Sequence, residues 1–246
     1  DQFLCGAFWF FRGLLVASIA YLIIYKGIDY WMGKSERLSP HRELLAPRGV
    51  CVLMLLLAAW KTSEGLRIIP LIQGGYREIM GTFFFGCGFL FRKWEHHYRV
   101  TWWMTLVFAV IVYLFSRYLT ANMNWRSSFI QFISLPVPAV CGFLMTYNIA
   151  RWCDKRDGCL KRFLVFCGDN TLPIFVFHII SYKVVSLLKI WYYDLDFAQI
   201  GCHMVIHEHA KEDFFWILYT IAGVGIPVGW TWCHQHIKKR LTPPSA

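Results

Sequence analysis

The chain has 246 residues, 57% of them hydrophobic and 18% aromatic, and only 16% charged, against roughly 25% in ordinary globular chains. Its 25 Lys and Arg against 15 Asp and Glu leave a formal charge of +10, and the mean hydropathy is +0.43. The basic residues sit between long apolar runs and not on one polar face, which excludes a nucleic-acid-binding surface, and the length excludes a small disulfide scaffold.

In chain order, apolar stretches long enough for helices in lipid fall near 3–25, 44–60, 76–91, 100–118, 129–151, 169–191 and 214–236. Those at 44–60 and 76–91 are the weaker two, with strong runs only from Val50 to Trp60 and from Ile79 to Phe91. None shows the alternation of a membrane barrel strand. The expected fold is an all-α membrane protein: a polytopic helical bundle of about seven transmembrane helices, with residues 1–246 as one helical domain. Tryptophans and tyrosines gather at the proposed ends, among them Trp31, Trp60, Trp94, Trp102, Trp103, Trp152 and Trp191, as an interfacial belt requires. None of the nine cysteines forms a CxxC pair, so they read as small apolar packing residues.

Loop charges give an orientation. Sixteen Lys and Arg fall on the side that carries Lys34, Arg48, Arg92, Arg99, Arg156 and Lys238, against eight on the side of Lys61, Arg77, Lys183 and Lys189. The positive-inside rule then places the C-terminus in the cytoplasm and Asp1 outside. A chain that starts outside without a signal segment leads to the expectation that an odd number of spans precedes it, so that N-terminal spans are missing.

Arg12 lies inside the first apolar run, where a charge costs on the order of 2.5–3.5 kcal/mol at a helix centre. It either faces an interior cavity, holding a phosphate or sugar hydroxyl, or snorkels to the outer surface from a helix that starts near Gly13. Glu78 heads the third span as a pocket carboxylate or an interfacial charge. Arg92 and Lys93 close that span on the basic side, where they would also attract a phosphorylated donor. Gly86 and Gly88 follow no predicted strand and make no nucleotide-binding loop. Gly225 and Gly229 read as a close helix contact.

The richest stretch is Phe166-Cys-Gly-Asp-Asn-Thr-Leu-Pro-Ile-Phe-Val-Phe-His178. Residues 161–166 form a short amphipathic piece ended by Gly168. Asn170 or Thr171 caps the next helix, and Pro173 fits its first turn. Thr171, His178, Ser181 and Tyr182 share one face, a narrow polar stripe on an apolar helix. A desolvated neutral imidazole suits a general base acting on a hydroxyl; the plainer alternative is a histidine that only hydrogen-bonds to a neighbouring helix. His203, His207 and His209 in the loop before the last span lack the HExxH pattern, and no metal site is expected.

Three of these pieces resemble the later half of the acyltransferase family 3 membrane proteins, which include O-acetyltransferases of bacterial surface sugars. Residues 6–14 (GAFWFFRGL) resemble that family's aromatic helix start; residues 83–92 (FFFGCGFLFR) resemble its FFxxGxxxR span; residues 166–178 resemble LGxNTLxIYxxH. The resemblance implies ten spans with both ends cytoplasmic, the presumed catalytic histidine of the family lying in its first span, upstream of this chain. It implies transfer of an acyl group, often acetyl, from acyl-CoA as co-substrate to a hydroxyl of a carbohydrate or lipid-linked sugar, in the bacterial cytoplasmic membrane. By that match His178, Asn170 and Arg92 would belong to the functional core, though not necessarily with His178 as the base; the residues read on their own add Arg12, Glu78 and Tyr182 as substrate contacts and make His178 the candidate catalytic group. Membrane lipid is the expected surrounding partner, and no nucleic acid or bound cofactor is expected. The rival readings are a transporter or flippase for a lipid-linked sugar, which also uses polar groups at mid-membrane, and a non-catalytic membrane scaffold.

Overall fold

The computed structural model describes residues 9–34, 41–63, 75–119, 134–202, 204–209 and 213–241. Among them are eight α-helices and no strand: α1 (Trp9–Gly33), α2 (Arg42–Ser63), α3 (Tyr76–Trp94), α4 (Trp102–Tyr118), α5 (Pro136–Asp154), α6 (Cys159–Asp169), α7 (Thr171–Tyr193) and α8 (Phe215–Leu241). Single 3-10 turns follow α3 (Glu95–His97) and α7 (Phe197–Gly201).

Four helices are long and apolar enough to cross a membrane: 10–33 in α1, 42–61 in α2, α7, and 215–238 in α8. Helix α4 is apolar but shorter. Helix α3 carries Arg77, Glu78, Arg92 and Lys93 at its ends, and α5 is made less apolar by Pro136, Pro138, Asn148 and Arg151, so neither reaches the same measure. The four long helices expose large apolar side chains broadly: Leu15 is 61% exposed, Leu56 62% and Ile221 61%. Side chains of that kind, turned outward along whole helices, have a low-energy environment only in hydrocarbon. The chain is therefore built as an integral membrane protein.

Two compact units make up the chain. One, within residues 10–155, holds α1–α5; the other, from residue 156 onward, holds α6–α8.

In the first unit, Tyr21 of α1, Val50, Cys51, Met54 and Ala58 of α2, and Tyr76, Met80 and Phe83 of α3 form the core. Small residues set the spacing. A Cβ on Gly86 would lie 2.8 Å from Cys51 Sγ and 3.2 Å from a Tyr21 ring carbon, so glycine is what lets α3 approach α1 and α2. Gly88 faces open space. Helix α2 contains Pro47, which has no N–H for the carbonyl of Glu43 four residues back. Lys93 of α3 supplies the missing donor, its Nζ donating to Glu43 O at 3.0 Å. Helices α4 and α5 are joined by Asn148, fully buried, which donates through Nδ2 to Thr105 Oγ1 at 2.8 Å. The described cysteines are free thiols.

In the second unit α7 packs along α8, and the segment between them folds back over their shared end.

Candidate functional site: a polar stripe between two helices

Helix α6 ends at Asp169, one residue beyond Gly168, and α7 starts at Thr171 with Pro173 in its first turn, as expected. The capping differs from expectation. Neither Asn170 nor Thr171 accepts from the first N–H groups of α7. Both reach backwards: Asn170 Nδ2 donates to Phe166 O at 2.8 Å, and Thr171 Oγ1 donates to Gly168 O at 2.6 Å. The last carbonyls of α6 are as much in need of partners as the first amides of α7, and in a turn this tight the side chains satisfy the former. Asn170 Oδ1 also accepts from Gln235 Nε2 of α8 at 3.2 Å, which ties the junction to the end of α8.

Two turns into α7, His178 Nδ1 lies 2.6 Å from the carbonyl oxygen of Phe175. A carbonyl only accepts, so Nδ1 carries a proton, and the tautomer this bond selects has its lone pair on Nε2. Nε2 has no hydrogen-bond partner among the described residues. The ring is held between Phe175 (centroids 5.7 Å apart) and Tyr182, whose edge meets it at 84° and 5.5 Å. His178 is only partly buried.

The stripe then continues with helical periodicity through Tyr182, Ser186 and Lys189. From His178 to Lys189 is eleven residues, or about 16 Å along the axis at 1.5 Å per residue. Tyr182 fits against α8 at Gly223, where a Cβ would fall 2.4 Å from its ring. Pro227 follows four residues later in α8, so the Gly223 carbonyl lacks its helical donor at the point where Tyr182 approaches. Gly225 and Gly229, expected at the helix contact, have nothing within 4 Å. The contact belongs to Gly223, on the other face of α8.

Beyond Tyr182 the stripe is closed. Tyr219 of α8 packs edge-on against Tyr182 at 5.8 Å, and its hydroxyl lies 3.1 Å from Ser186 Oγ. The same hydroxyl accepts from the backbone N–H of Ile206 at 3.4 Å. Lys189 is 1% exposed, and its ammonium pairs with Asp213 at 2.6 Å and donates to Ile206 O at 3.2 Å. The rings of Tyr193 and Phe215 cover it at 5.9 and 5.5 Å. One turn and a half earlier, Lys183 donates to the carbonyls of Ile200 (2.9 Å) and Cys202. Two lysines and a tyrosine thus strap Ile200, Cys202, Ile206 and Asp213 across the helix pair.

Of the residues read from sequence, His178 and Tyr182 stand side by side, and Asn170 lies in the same unit at the α6–α7 junction. Arg12, Glu78 and Arg92 belong to the other unit. Arg12 is exposed in the first turn of α1. Glu78 sits at the start of α3 with Oε2 enclosed and no hydrogen bond to it, near the buried Lys61 of α2. Arg92 is fourteen residues further on, roughly 21 Å along the same helix, so these two do not share a site. Arg92 Nη1 donates to Glu95 Oε2 at 2.7 Å, and Tyr147 OH donates to Glu95 Oε1 at 3.1 Å. These bonds, Arg92 first, hold the Glu95 carboxyl below the usual carboxylate range.

Sequence reasoning missed Ser186, Lys189, Tyr219 and Asp213. The first two were available as a continuation of the i, i+4 spacing from His178; the other two are brought in by tertiary packing alone. Among the described residues no three His, Cys, Asp or Glu side chains are grouped for a metal, and His203 lies outside them. His207 is exposed, and His209 stacks on Tyr193 at 4.5 Å.

Comparison with protein-family models, with curated proteins and with solved structures finds no match to the chain.

Proposed function

We propose that this protein is an integral membrane acyltransferase that moves an acyl group, acetyl in the simplest case, from acyl-CoA to a hydroxyl of a cell-surface carbohydrate. The observation that carries the reading is the imidazole of His178, with Nδ1 committed to the Phe175 carbonyl and Nε2 left as a hydrogen-bond acceptor on a partly open face. A general base needs that arrangement: a fixed tautomer, a lone pair facing outward, and a ring held in place by its neighbours.

In the proposed step the acceptor hydroxyl gives its proton to His178 Nε2 while its oxygen forms a bond to the thioester carbonyl carbon. The tetrahedral adduct then expels the CoA sulfur, and the imidazolium returns the proton to that leaving group. Tyr182 orients the ring. The expected substrate contacts at Asn170 and Arg92 already have intramolecular partners, so the chemistry rests on His178 and Tyr182. The seven apolar stretches would each cross a bacterial cytoplasmic membrane, with the C-terminus and the basic loops inside, where acyl-CoA is supplied.

The test is acetyl transfer from labelled acetyl-CoA to carbohydrate in membranes from cells that express the protein. His178→Ala is expected to lower transfer by about 10²–10⁴-fold at unchanged protein level. Transfer at the native rate in that variant refutes the assignment.

A further inference from the structure

Three cavities are described in the chain, and one differs from the others in its charge. The cavity beside α6 is lined by Asp157 and Asp169 as well as Lys161 and Arg162, and Lys161 is already paired with Asp157 at 3.0 Å. A second, of about 580 Å³, has Glu43 in its wall together with Lys93, whose ammonium is committed to the Glu43 carbonyl. The third lies against the last turns of α3, has a volume of about 630 Å³, and is lined by Arg48 and Arg99 with no carboxylate.

Neither arginine has an acidic partner among the described residues. Arg48 is held by stacking, its guanidinium 5.5 Å from the Trp94 ring centroid, which fixes the fork without using its donors. The one acid of the nearby turn, Glu95, is satisfied by Arg92 and Tyr147. The remaining wall is mainly apolar: Leu90, Phe91, Met104 and Leu144, with His97 and Tyr98 as its other polar members. The exposed, stacked Trp102 and Trp103 at the start of α4 mark this level as a membrane interface.

We propose that this cavity is a lipid-binding site for the headgroup of an anionic phospholipid, its phosphate held by Arg48 and Arg99 and the upper part of its chains by Leu90, Met104 and Leu144. A free phosphate would use the two forks and leave the apolar wall wet; a zwitterionic lipid would use the wall and bring no net charge to two unpaired guanidiniums. An anionic lipid uses both. The site rests on membrane residence and not on acyl transfer, so its test needs no activity.

The protein is purified in mild detergent, supplied with equimolar phosphatidylglycerol and phosphatidylcholine, and the retained lipid is read by native mass spectrometry. One phosphatidylglycerol per chain is expected to be kept in preference to phosphatidylcholine. Each arginine near a membrane surface contributes about 1 kcal/mol to anionic-lipid binding, so Arg99→Gln lowers retention about fivefold and the double variant Arg48→Gln/Arg99→Gln removes the preference. Arg117→Gln, at the other end of α4, leaves it unchanged. Met104→Trp, which fills the wall and spares both arginines, lowers retention as well. Arg99 is exposed and has no acidic partner among the described residues, so its single variant decides the matter should the double variant not fold. Equal retention of the two lipids, native retention in Arg99→Gln, or displacement of the lipid by millimolar glycerol phosphate would each overturn the proposal, the last by making the site one for soluble phosphate.

Discussion

Breaking the pair between Lys189 and Asp213 gives the strongest stability prediction. The two side chains are 1% and 5% exposed, with 2.6 Å between ammonium and carboxylate. Lys189 has one further acceptor, Ile206 O, and Asp213 one further donor, the Phe215 N–H at 3.2 Å. Asp213→Asn keeps the latter bond, because the amide oxygen still accepts, but leaves an ammonium among the rings of Tyr193 and Phe215 with a single carbonyl for company. Removing one partner of a buried pair costs about 3–5 kcal/mol, roughly 200- to 5000-fold in the unfolding equilibrium. Lys189→Met falls in the same range, since it strands a carboxylate. The double variant has no buried charge and retains the Phe215 bond, so its loss is about 1 kcal/mol and the coupling is at least about 5 kcal/mol. Reversible unfolding in mixed micelles, titrated with a denaturing detergent and followed by tryptophan fluorescence, measures all four corners of the cycle. Single variants within about 1 kcal/mol of the parent, or losses that simply add, would refute the claim that the two charges are held by each other.

Gly223→Ala puts a methyl 2.4 Å from the Tyr182 ring, and the expected loss is about 1–3 kcal/mol, accompanied by lower transfer activity because Tyr182 supports His178. Gly225→Ala, in open space on the same helix, is expected to be neutral or slightly stabilising in the same unfolding assay. The Glu95 carboxyl, held down by Arg92 and then Tyr147, contributes stability that is present above the unfolded glutamate value of about 4.3 and disappears as pH falls through its lower folded value. Unfolding midpoints measured from pH 6 down to about 3 should therefore fall below about pH 4, and Glu95→Gln should flatten that part of the curve; an identical slope in the variant refutes the link.

The helices were legible because lipid-facing helices announce themselves by continuous apolarity, and the stretches ending near residues 25 and 236 differ from α1 and α8 chiefly in where polar ends begin. Helix α1 runs on through Lys26 and Asp29 to Gly33, since helical hydrogen bonding does not need an apolar side chain. The stripe on α7 was legible for the same periodic reason, as far as Tyr182. What hydropathy cannot carry is the partner of each polar group. Lys183 and Lys189 enter a loop-charge count as free cations of the outer side, yet one holds two loop carbonyls and the other a buried carboxylate. Lys61, read as another loop cation, is 8% exposed at the end of α2. Gly223 looks no different in sequence from Gly225, and only the position of a tyrosine on another helix decides which of them has to lack a side chain.

The same reasoning bears on how far the stripe can serve chemistry. Its outer half is satisfied: Ser186, Tyr219, Lys189 and Asp213 have one another and the strap over them, and a substrate that entered there would have to break bonds made in a closed environment, where an unpaired polar group costs most. His178 stands at the other end of the stripe, two turns into α7, with one nitrogen bound and one not. The strap and the ion pair then act as the rigid end of α7 and α8, holding Tyr182 against Gly223, and Tyr182 together with Phe175 flanks the partly buried histidine ring. Within the stripe, Ser186, Tyr219, Lys189 and Asp213 are committed to one another and to the strap, whereas His178 keeps one ring nitrogen without a hydrogen-bond partner among the described residues.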